Sequence, residues 1–316
     1  MPGDQKAGPR EPFHGFDLSP EDERVLRGPV PPRALRWAAS AVGPGARVRA
    51  SEPLPGGTSS AVHALTVEGG NGRTHKLVLR RFVREDWLAE EPDLAKREAS
   101  ALSLIAGRGL PTPALVAVDP DGAEVGVPAV LMSRLPGRID WDPSDVEAFL
   151  RRLVEPLPSI HATPVPPGTP LPRYASYPVE LRRPPVWASQ PRVWLRAIER
   201  LDGAPPSEER RLIHRDYHPG NVLWQRGRVT GVIDWVNTSV GCPWADVGHC
   251  RVNLASELGA RAADRLLELF RAESGRSDEY DPYWDISAAV GGLDEDVDER
   301  PSPADERFLS AAVARL

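Results

Sequence analysis

The first part of the chain alternates apolar and polar positions in a way that predicts a small sheet with one main helix. Short apolar or alternating runs are separated by turn-rich stretches, and each such run is typical of a strand. The predicted strands are residues 46–54, 61–69, 75–82, 114–119 and 128–135. Within residues 92–107 apolar residues recur at helical spacing, and Gly107 ends the run. Residues 45–134 are therefore predicted to form one lobe around a sheet.

Beyond this lobe the pattern becomes mostly helical. Residues 145–161 place apolar side chains on one side of a predicted helix, residues 192–201 predict another, and helices dominate from Asp246 onward. Residues 163–191 are rich in Pro and predict no regular element. We expect residues 135–316 to form a second lobe. Residues 1–44 read as a polar tail followed by two short helices.

Composition restricts the class of partner. The chain has 316 residues, a net charge of −6 and two cysteines. This length favours two lobes, and the acidic balance argues against a nucleic-acid partner. No apolar run is long enough to span a bilayer, which predicts no membrane partner. Two cysteines imply no disulfide framework, so we expect a protein of the reducing cytoplasm. The oligomeric state stays open.

The polar stretch HRDYHPGN, residues 214–221, lies just before a predicted hairpin centred on Arg226-Gly227. It contains Asp216 and Asn221, and Asp234 closes the second hairpin strand in the sequence VIDW. Carboxylate and amide oxygens near nucleotide phosphates suit Mg²⁺. A further carboxylate suits acceptance of a hydroxyl proton. Phosphoryl transfer requires this set of parts, although a purely structural turn is the alternative interpretation of the stretch.

The spacing of Asp216, Asn221 and Asp234 is similar to the kinase signature, with Asp-Trp in place of Asp-Phe-Gly. On these motifs the chain resembles the aminoglycoside phosphotransferase/choline kinase-like family over about residues 45–290. The resemblance implies an α+β, two-lobed protein-kinase-like fold, with an antiparallel sheet and one main helix in the first lobe. It implies Asp216 as the catalytic base, and Asn221 and Asp234 as metal ligands.

The resemblance also implies a nucleotide site. A flexible loop over the phosphates corresponds to Leu54–Ser60, and Arg80 stands where protein kinases keep a phosphate-binding Lys, with Lys76 the weaker candidate. Glu98 resembles the ion-pair partner of that residue, and Asp246 resembles an Asp that supports the catalytic loop. The backbone near Met132 and Ser133 would bind the adenine edge. The candidate loop residues are Gly56, Gly57, Thr58, Ser59 and Ser60.

Two of these residues have an alternative interpretation without a role in the nucleotide site. Arg80 could be a solvated charge at a strand end, and Glu98 an exposed helix residue. His214 is expected to be a buried residue that holds the loop, and His218 either contacts phosphate or packs. Cys242, His249 and Cys250 match no common zinc spacing. Trp235 is a candidate wall of the nucleotide site. Candidates for the acceptor site are Trp187, Trp194 and Trp284.

The predicted function is a kinase that uses ATP, with GTP as the alternative nucleotide, and Mg²⁺. Its partner would be a small hydroxyl acceptor. No Ala-Pro-Glu follows Asp234, which argues against a protein kinase. An aminoglycoside, a macrolide, choline, a homoserine-like amino acid and a sugar all remain open as acceptor. A nucleotide-binding pseudokinase or scaffold is the alternative from another class, and a phosphate-ester hydrolase is a third.

Overall fold

The computed structural model describes residues 20–55, 59–175, 183–291 and 303–316. Gly56, Gly57 and Thr58 of the predicted phosphate loop and the acidic run 294–299 lie outside the described residues. The chain divides into two units. The first comprises the residues up to Asp93 together with Val116–Met132, and the second comprises Leu94–Leu115 and everything from Ser133 onward.

The first unit is built on a five-stranded sheet in the order β1-β2-β3-β5-β4. Strands β1, β2 and β3 pair in antiparallel fashion. The elements are α1 (Pro20–Arg27), α2 (Pro32–Val42), β1 (Arg47–Pro53), β2 (Ala61–Glu68), β3 (Thr74–Arg81), α3 (Glu85–Glu90), β4 (Leu115–Asp119) and β5 (Ala129–Ser133). All five strands were predicted, whereas α3 was not.

Helix α2 covers one face of this sheet. Its buried residues Ala34, Trp37 and Ala38 follow the i, i+3, i+4 spacing of a helical stripe. They share a core with alternate residues of the strands, including Leu77 and Leu79 of β3. Because side chains alternate along a strand, Arg80 lies on the opposite face of the sheet.

The second unit is mostly helical, with two small two-stranded sheets, β6-β9 and β7-β8. Its elements are α4 (Leu94–Ile105), α5 (Val146–Val154), α6 (Pro156–His161), α7 (Pro191–Asp202), β6 (Arg211–Ile213), β7 (Val222–Gln225), β8 (Arg228–Val232), β9 (Ser239–Gly241), α8 (Trp244–Glu257), α9 (Ala260–Ser274), α10 (Tyr283–Val290) and α11 (Pro303–Val313). The α+β class, with a sheet first and helices after it, is confirmed. Among the described helices, none is long and apolar enough to cross a membrane.

Local predictions for this unit were partly wrong. The single helix predicted over residues 145–161 is two helices, because Pro156 begins α6 directly after α5 ends. Strands β6 and β9 were not predicted. In the described parts of the Pro-dense segment no helix or strand occurs before α7, apart from an isolated bridge between Arg173 and Val240. The lobe boundaries at residues 45 and 135 stay a prediction.

Helix α8 forms the centre of the second unit and is buried over most of its length. It lies so close to α10 that a Cβ atom on Gly248 would come within 2.5 Å of the Trp284 carbonyl oxygen. Helices α7, α10 and α11 share a core that contains Trp194, and Trp187 packs against it. Trp284 is 2% exposed. The hypothesis that Trp194 and Trp284 line an acceptor site is therefore wrong, since both are buried in the helical core. Trp187 is partly exposed, and its role at an acceptor site stays a prediction.

One buried ion pair connects the helices of this unit. The Arg251 guanidinium on α8 donates to both carboxylate oxygens of Asp285 on α10, at 2.9 and 3.2 Å. The same arginine donates to the Ala263 carbonyl oxygen of α9 at 2.6 Å. Tyr280 and Arg315 also donate to Asp285. The charges are paired and hydrogen-bonded, as burial of charged groups requires.

Candidate active site

The β7-β8 hairpin brings Asn221 and the Ile233-Asp234 segment together. Its two-residue turn is Arg226-Gly227, with φ of 52° and 70°, and positive φ at both positions is what a type I′ turn requires. Val222 pairs with Val232. One step further along, the Ile233 N–H donates to the Asn221 carbonyl oxygen at 2.9 Å. The hairpin predicted from the sequence thus sets two candidate metal ligands at the same end of the ladder.

Asp246 holds the backbone of the loop that carries Asp216. It lies in the first turn of α8 and is 0% exposed. Its carboxylate accepts from the N–H groups of His214 at 3.0 Å and Arg215 at 2.6 Å. The His161 ring on α6 donates to the same carboxylate at 2.9 Å. The supporting role inferred from the sequence matches these contacts.

Two non-glycine residues of the candidate site have positive φ. Arg215 has φ of 70° and Asp234 has φ of 65°, both in the left-handed region. For a residue other than Gly this conformation costs about 1–2 kcal/mol. The two hydrogen bonds that the Asp246 carboxylate accepts hold Arg215 and His214 in place. Strain of this kind clusters at functional sites.

Two further buried side chains hold the loop by hydrogen bonds to backbone carbonyl groups. Tyr217 is 0% exposed, and its hydroxyl donates to the Leu153 carbonyl oxygen at 2.6 Å. His214 is also buried, and its Nε2 donates to the Ile233 carbonyl oxygen at 2.9 Å. The prediction that His214 holds the loop is confirmed. Its ring packs on Trp235 with centroids 4.5 Å apart.

Trp235 itself is fully buried, and its Nε1–H donates to the Val232 carbonyl oxygen at 2.9 Å. The hypothesis that Trp235 walls the nucleotide site is therefore wrong. The side chain supports the loop from the core.

Both carboxylate oxygens of Asp216 have hydrogen-bond donors. Asn221 Nδ2 donates to Oδ2 at 3.1 Å, and His249 Nε2 lies 3.0 Å from Oδ1. The side chain is 26% exposed, so a ligand can reach it. Burial by itself raises the pKa of this carboxyl. The hydrogen bond from His249 opposes this effect, and the pKa of Asp216 lies well below its usual range.

The amide orientation of Asn221 suits a metal ligand. Its Nδ2 donates both to the Asp216 carbonyl oxygen at 2.9 Å and to the Asp216 carboxylate, and both partners can only accept. The amide oxygen therefore faces away from Asp216. Together with the half-buried carboxylate of Asp234 it offers the oxygen donors that Mg²⁺ prefers. The residues present fit a magnesium ion, and the metal assignment stays a prediction.

His249 is a site residue that sequence reasoning missed. It lies three residues after Asp246 on α8, so both side chains occupy the same face of the helix. His218, whose Nε2 is 3.7 Å from Asp216 Oδ1, was left between a phosphate contact and packing. Its ring stacks on Trp141 with centroids 5.8 Å apart. The i, i+3 relation to Asp246 places His249 on the face of α8 that supports the loop, but its contact with Asp216 depends on how α8 packs.

In the first unit, Arg80 is buried, with 8% of its surface exposed. This contradicts the alternative that it is a solvated charge at a strand end. It pairs with Val62 in the β2-β3 ladder. Lys76 is exposed and donates to Thr66 Oγ1 at 2.9 Å. Ser60 is buried and Ser59 is partly exposed. The roles of Arg80, Ser59 and Ser60 towards phosphate stay predictions.

In the second unit, Glu98 is 1% exposed, so it is no surface residue of α4. Helix α4 packs against the short turn Trp235–Asn237 that follows Asp234. The pairing of Glu98 with Arg80 stays a prediction. At the predicted hinge, Met132 is 7% exposed, and Ser133 bridges to Ala114 through both its N–H and its hydroxyl at 2.8 Å. The Ser133 N–H is thus engaged with the chain itself.

Comparison with known sequences decides the family. The sequence profile of the phosphotransferase enzyme family matches residues 51–283, well over half of the chain and including every residue of the loop and hairpin. The chain belongs to the phosphotransferase enzyme family. The suspected relation to aminoglycoside phosphotransferases is confirmed at this level.

Solved phosphotransferase structures share the fold. A thermostable mutant of aminoglycoside phosphotransferase APH(4)-Ia, in a ternary complex with AMP-PNP and hygromycin B, is 16% identical with a TM-score of 0.57, over 85% of this chain and 94% of that one. Amicoumacin kinase hAmiN, in complex with AMP-PNP, Ca²⁺ and Ami, is 14% identical with a TM-score of 0.55, over 84% of this chain and 88% of that one. At these identities the likeness concerns the fold alone.

Two curated proteins also match part of the phosphotransferase chain. Acyl-CoA dehydrogenase family member 10 of Mus musculus is 27% identical over 173 residues, which is 49% of this chain. Uncharacterized protein YcbJ of Bacillus subtilis strain 168 is 39% identical over 66 residues, 21% of this chain. The matches span 16% and 20% of the lengths of these relatives, so the chain corresponds to a small part of each.

Proposed function

We propose that this phosphotransferase transfers the γ-phosphoryl group of ATP to a hydroxyl of a small molecule. The observation that carries the proposal is the Asp216 carboxylate, ionised, reachable by a ligand and oriented by donors on both oxygens. It lies on a loop whose backbone donates to Asp246, and the hairpin that follows sets Asn221 and Asp234 at the same end of its ladder. A positioned carboxylate next to metal ligands is what transfer to a hydroxyl requires.

In the proposed reaction, Asp216 accepts a hydrogen bond from the acceptor hydroxyl and orients its oxygen toward the γ-phosphorus. The new bond joins the acceptor oxygen to phosphorus, the bond to the bridging oxygen of ADP breaks, and the hydroxyl proton leaves by way of the carboxylate. Because the pKa of Asp216 lies well below its usual range, the group acts mainly through orientation and charge. Positioning accounts for a large part of such catalysis.

The nucleotide site belongs to the same proposal. Asn221 and Asp234 would hold Mg²⁺, which neutralises charge on the nucleotide phosphates when it is bound. Arg80 would contact the phosphates, and Ser59 and Ser60 would take part in the loop over them. GTP is the alternative nucleotide. The buried free thiols of Cys242 and Cys250 fit a reaction in the reducing cytoplasm.

The acceptor is proposed as an aminoglycoside-like antibiotic or another hydroxylated metabolite. The structures of APH(4)-Ia and hAmiN contain hygromycin B and Ami, respectively, which places compounds of these kinds first in a screen. The screen should also contain macrolides, choline, homoserine and simple sugars.

The test is Mg²⁺-ATP-dependent ADP release across this panel, with phosphorylated product detected by mass spectrometry. Asp216→Ala serves as the control, because it removes the carboxylate and leaves Asn221 and Asp234 in place. We expect one acceptor class to stimulate ADP release by the wild type. With that acceptor, the rate of ADP release by the variant should be lower by about 10²-fold or more. Wild-type rates in Asp216→Ala would refute the assignment. Phosphate release without a phosphorylated acceptor would indicate a hydrolase.

A further inference from the structure

The most informative unassigned cluster in the described part of the chain surrounds Asp216. His218 Nε2 and His249 Nε2 both face Oδ1 of this carboxylate, at 3.7 and 3.0 Å. The side chains are 12% and 27% exposed, so the cluster is half-enclosed. Two interpretations fit this arrangement: three ligands of a transition-metal ion, or two imidazole N–H groups directed at one carboxylate.

The donor atoms have spacing that a metal could use. They all lie within 4.8 Å of one another. In a tetrahedral zinc site with bonds of about 2.0–2.1 Å, ligand atoms are about 3.3 Å apart, between the two distances observed. Spacing alone therefore does not separate the two interpretations. The tautomer of His218 does, because it determines whether Nε2 can bind a metal or donates a hydrogen bond.

The Gly220 N–H donates to Nδ1 of His218 at 3.2 Å. A ring nitrogen that accepts a hydrogen bond carries no proton, so the proton of the neutral ring is on Nε2. That nitrogen then has no lone pair for a metal. Metal-binding histidines show the reverse arrangement, with the second ring nitrogen donating. His218 thus presents an N–H to the carboxylate, and Asp216 and His249 alone do not make a closed metal site.

The remaining contacts assign a role to His249. Asn221 fixes Oδ2 of Asp216 from the loop itself, and this amide lies on the same segment as the carboxylate. His249 fixes Oδ1 from α8, the helix whose first turn already holds the loop through Asp246. The His218 N–H, 3.7 Å from Oδ1, is too far away for a hydrogen bond. Each carboxylate oxygen therefore has one hydrogen-bond donor, and the plane of the carboxylate is set by two different elements.

We propose that His249 is a positioning residue that fixes the rotation of the Asp216 carboxylate toward the acceptor hydroxyl. This inference rests on the proposed phosphotransfer. Without the bond to Oδ1, the carboxylate turns about its χ2 axis while Asn221 still holds Oδ2. The base then spends less time in the orientation that the hydroxyl requires, and misplacement on this scale lowers rates by about 10²-fold.

The experiment compares His249→Leu and His249→Gln with the wild type and Asp216→Ala, using an acceptor that supports turnover. Leu removes the donor, whereas the Gln amide N–H reaches about the same place as Nε2. We expect kcat of His249→Leu to fall about 10- to 100-fold, with little change in nucleotide Kd or acceptor KM. His249→Gln should recover most of the lost kcat. Circular dichroism melts establish that both variants fold.

Each outcome decides the matter. An inactive Asp216→Ala with a His249→Leu variant as fast as the wild type overturns the inference and leaves the proposed function standing. A loss of kcat that Gln does not restore, or that comes with loss of folding, assigns His249 to packing. Zn²⁺ bound by the wild type and lost in His249→Leu shows a metal site instead. Absence of turnover with every acceptor overturns the proposed function and, with it, this inference.

Discussion

At the scale of single residues, the site depends on carboxylates that accept hydrogen bonds from more than one loop or helix. Asp246 accepts hydrogen bonds from two backbone N–H groups of the loop and from the His161 ring of α6. Its place in the first turn of α8 adds the favourable interaction of a negative charge with a helix N-terminus. Asp246 therefore transmits the position of α8 to His214 and Arg215, the two residues that precede Asp216.

Asp246→Asn tests this connection at nearly constant volume. An amide has one acceptor atom, so at least one buried donor of the loop or His161 faces an NH₂ group. We expect the free energy of unfolding to fall by about 1–3 kcal/mol, and kcat to fall with it because Arg215 loses its support. Urea denaturation and ADP-release assays measure the two effects.

Asp145→Asn is the matched control for this substitution. Asp145 caps α5 by accepting from the Ala148 N–H at 3.0 Å on an exposed surface. Asn caps helices about as well as Asp, so stability and activity should stay near wild type. Equal losses in both variants would contradict the role assigned to Asp246.

Sequence spacing identified Asp216, Asn221 and Asp234 because all three follow from one local segment, a loop and its hairpin. His249 could not be found in this way. Its contact with Asp216 joins residues 33 positions apart through the placement of α8, and no local pattern encodes that distance. Trp235 was misjudged for the same reason, since its adjacency to Asp234 in sequence says nothing about which side of the backbone its ring occupies.

At the scale of elements, the β7-β8 turn shows how a short connection sets the spacing of the site. Arg226 adopts a left-handed φ that Asn tolerates better. Arg226→Asn should therefore raise the free energy of unfolding by about 0.5 kcal/mol. Gly227→Ala should lower it by about 1 kcal/mol, because its φ is 70° although space for a methyl group exists. Thermal melts that rank the two variants in the opposite order would contradict the turn assignment.

In the first unit, His63 links β2 to the residue that follows α1. The ring Nε2 donates to the Gly28 carbonyl oxygen at 2.9 Å. Burial lowers the pKa of His63 from 6.5; the hydrogen bond to Gly28 opposes this shift, and the charge of Arg81 adds to it. Below pH 6.5 the unfolded chain therefore binds a proton that the folded chain does not, and stability falls as pH falls.

His63→Gln keeps a donor for Gly28 and removes the titration. Its Tm should decline less than that of the wild type between about pH 7 and pH 5. Thermal melts across this range measure the difference. Parallel curves for the two proteins would show that His63 does not contribute to the acid sensitivity.

Element prediction succeeded where runs were long enough to show a period and failed where they were short. The five strands of the first unit lie in runs of five or more residues that are apolar or alternate apolar and polar positions. Strands β6 and β9 have three residues each, too few to display any period, and they exist because the loop and α8 bring them together. The break between α5 and α6 was readable in principle from Pro156, since Pro ends a helix at the preceding residue.

At the scale of the whole molecule, the buried carboxylate of Asp285 joins helices of the second unit. Asp285 on α10 pairs with Arg251 of α8 and accepts from Tyr280 and Arg315. Asp285→Ala should lower the free energy of unfolding by about 3–5 kcal/mol, because Arg251 is left charged in the core. Urea denaturation followed by Trp fluorescence measures the loss.

Asp264→Ala is the matched control, since Asp264 pairs with the same arginine at 3.2 Å but is 71% exposed. An exposed pair contributes about 0–1 kcal/mol. Similar losses in the two variants would mean that the shared arginine, and not burial, determines the cost.

One turn of α8 also has a consequence for protein engineering. Asp246 supports the loop, Gly248 meets the Trp284 backbone with no room for a Cβ, and His249 contacts Asp216. A saturation library over residues 246–249 will therefore return few active clones, and substitutions at Gly248 will fail by displacing α10 rather than through the chemistry. Libraries that seek altered acceptor range should leave this turn unchanged and diversify residues outside it.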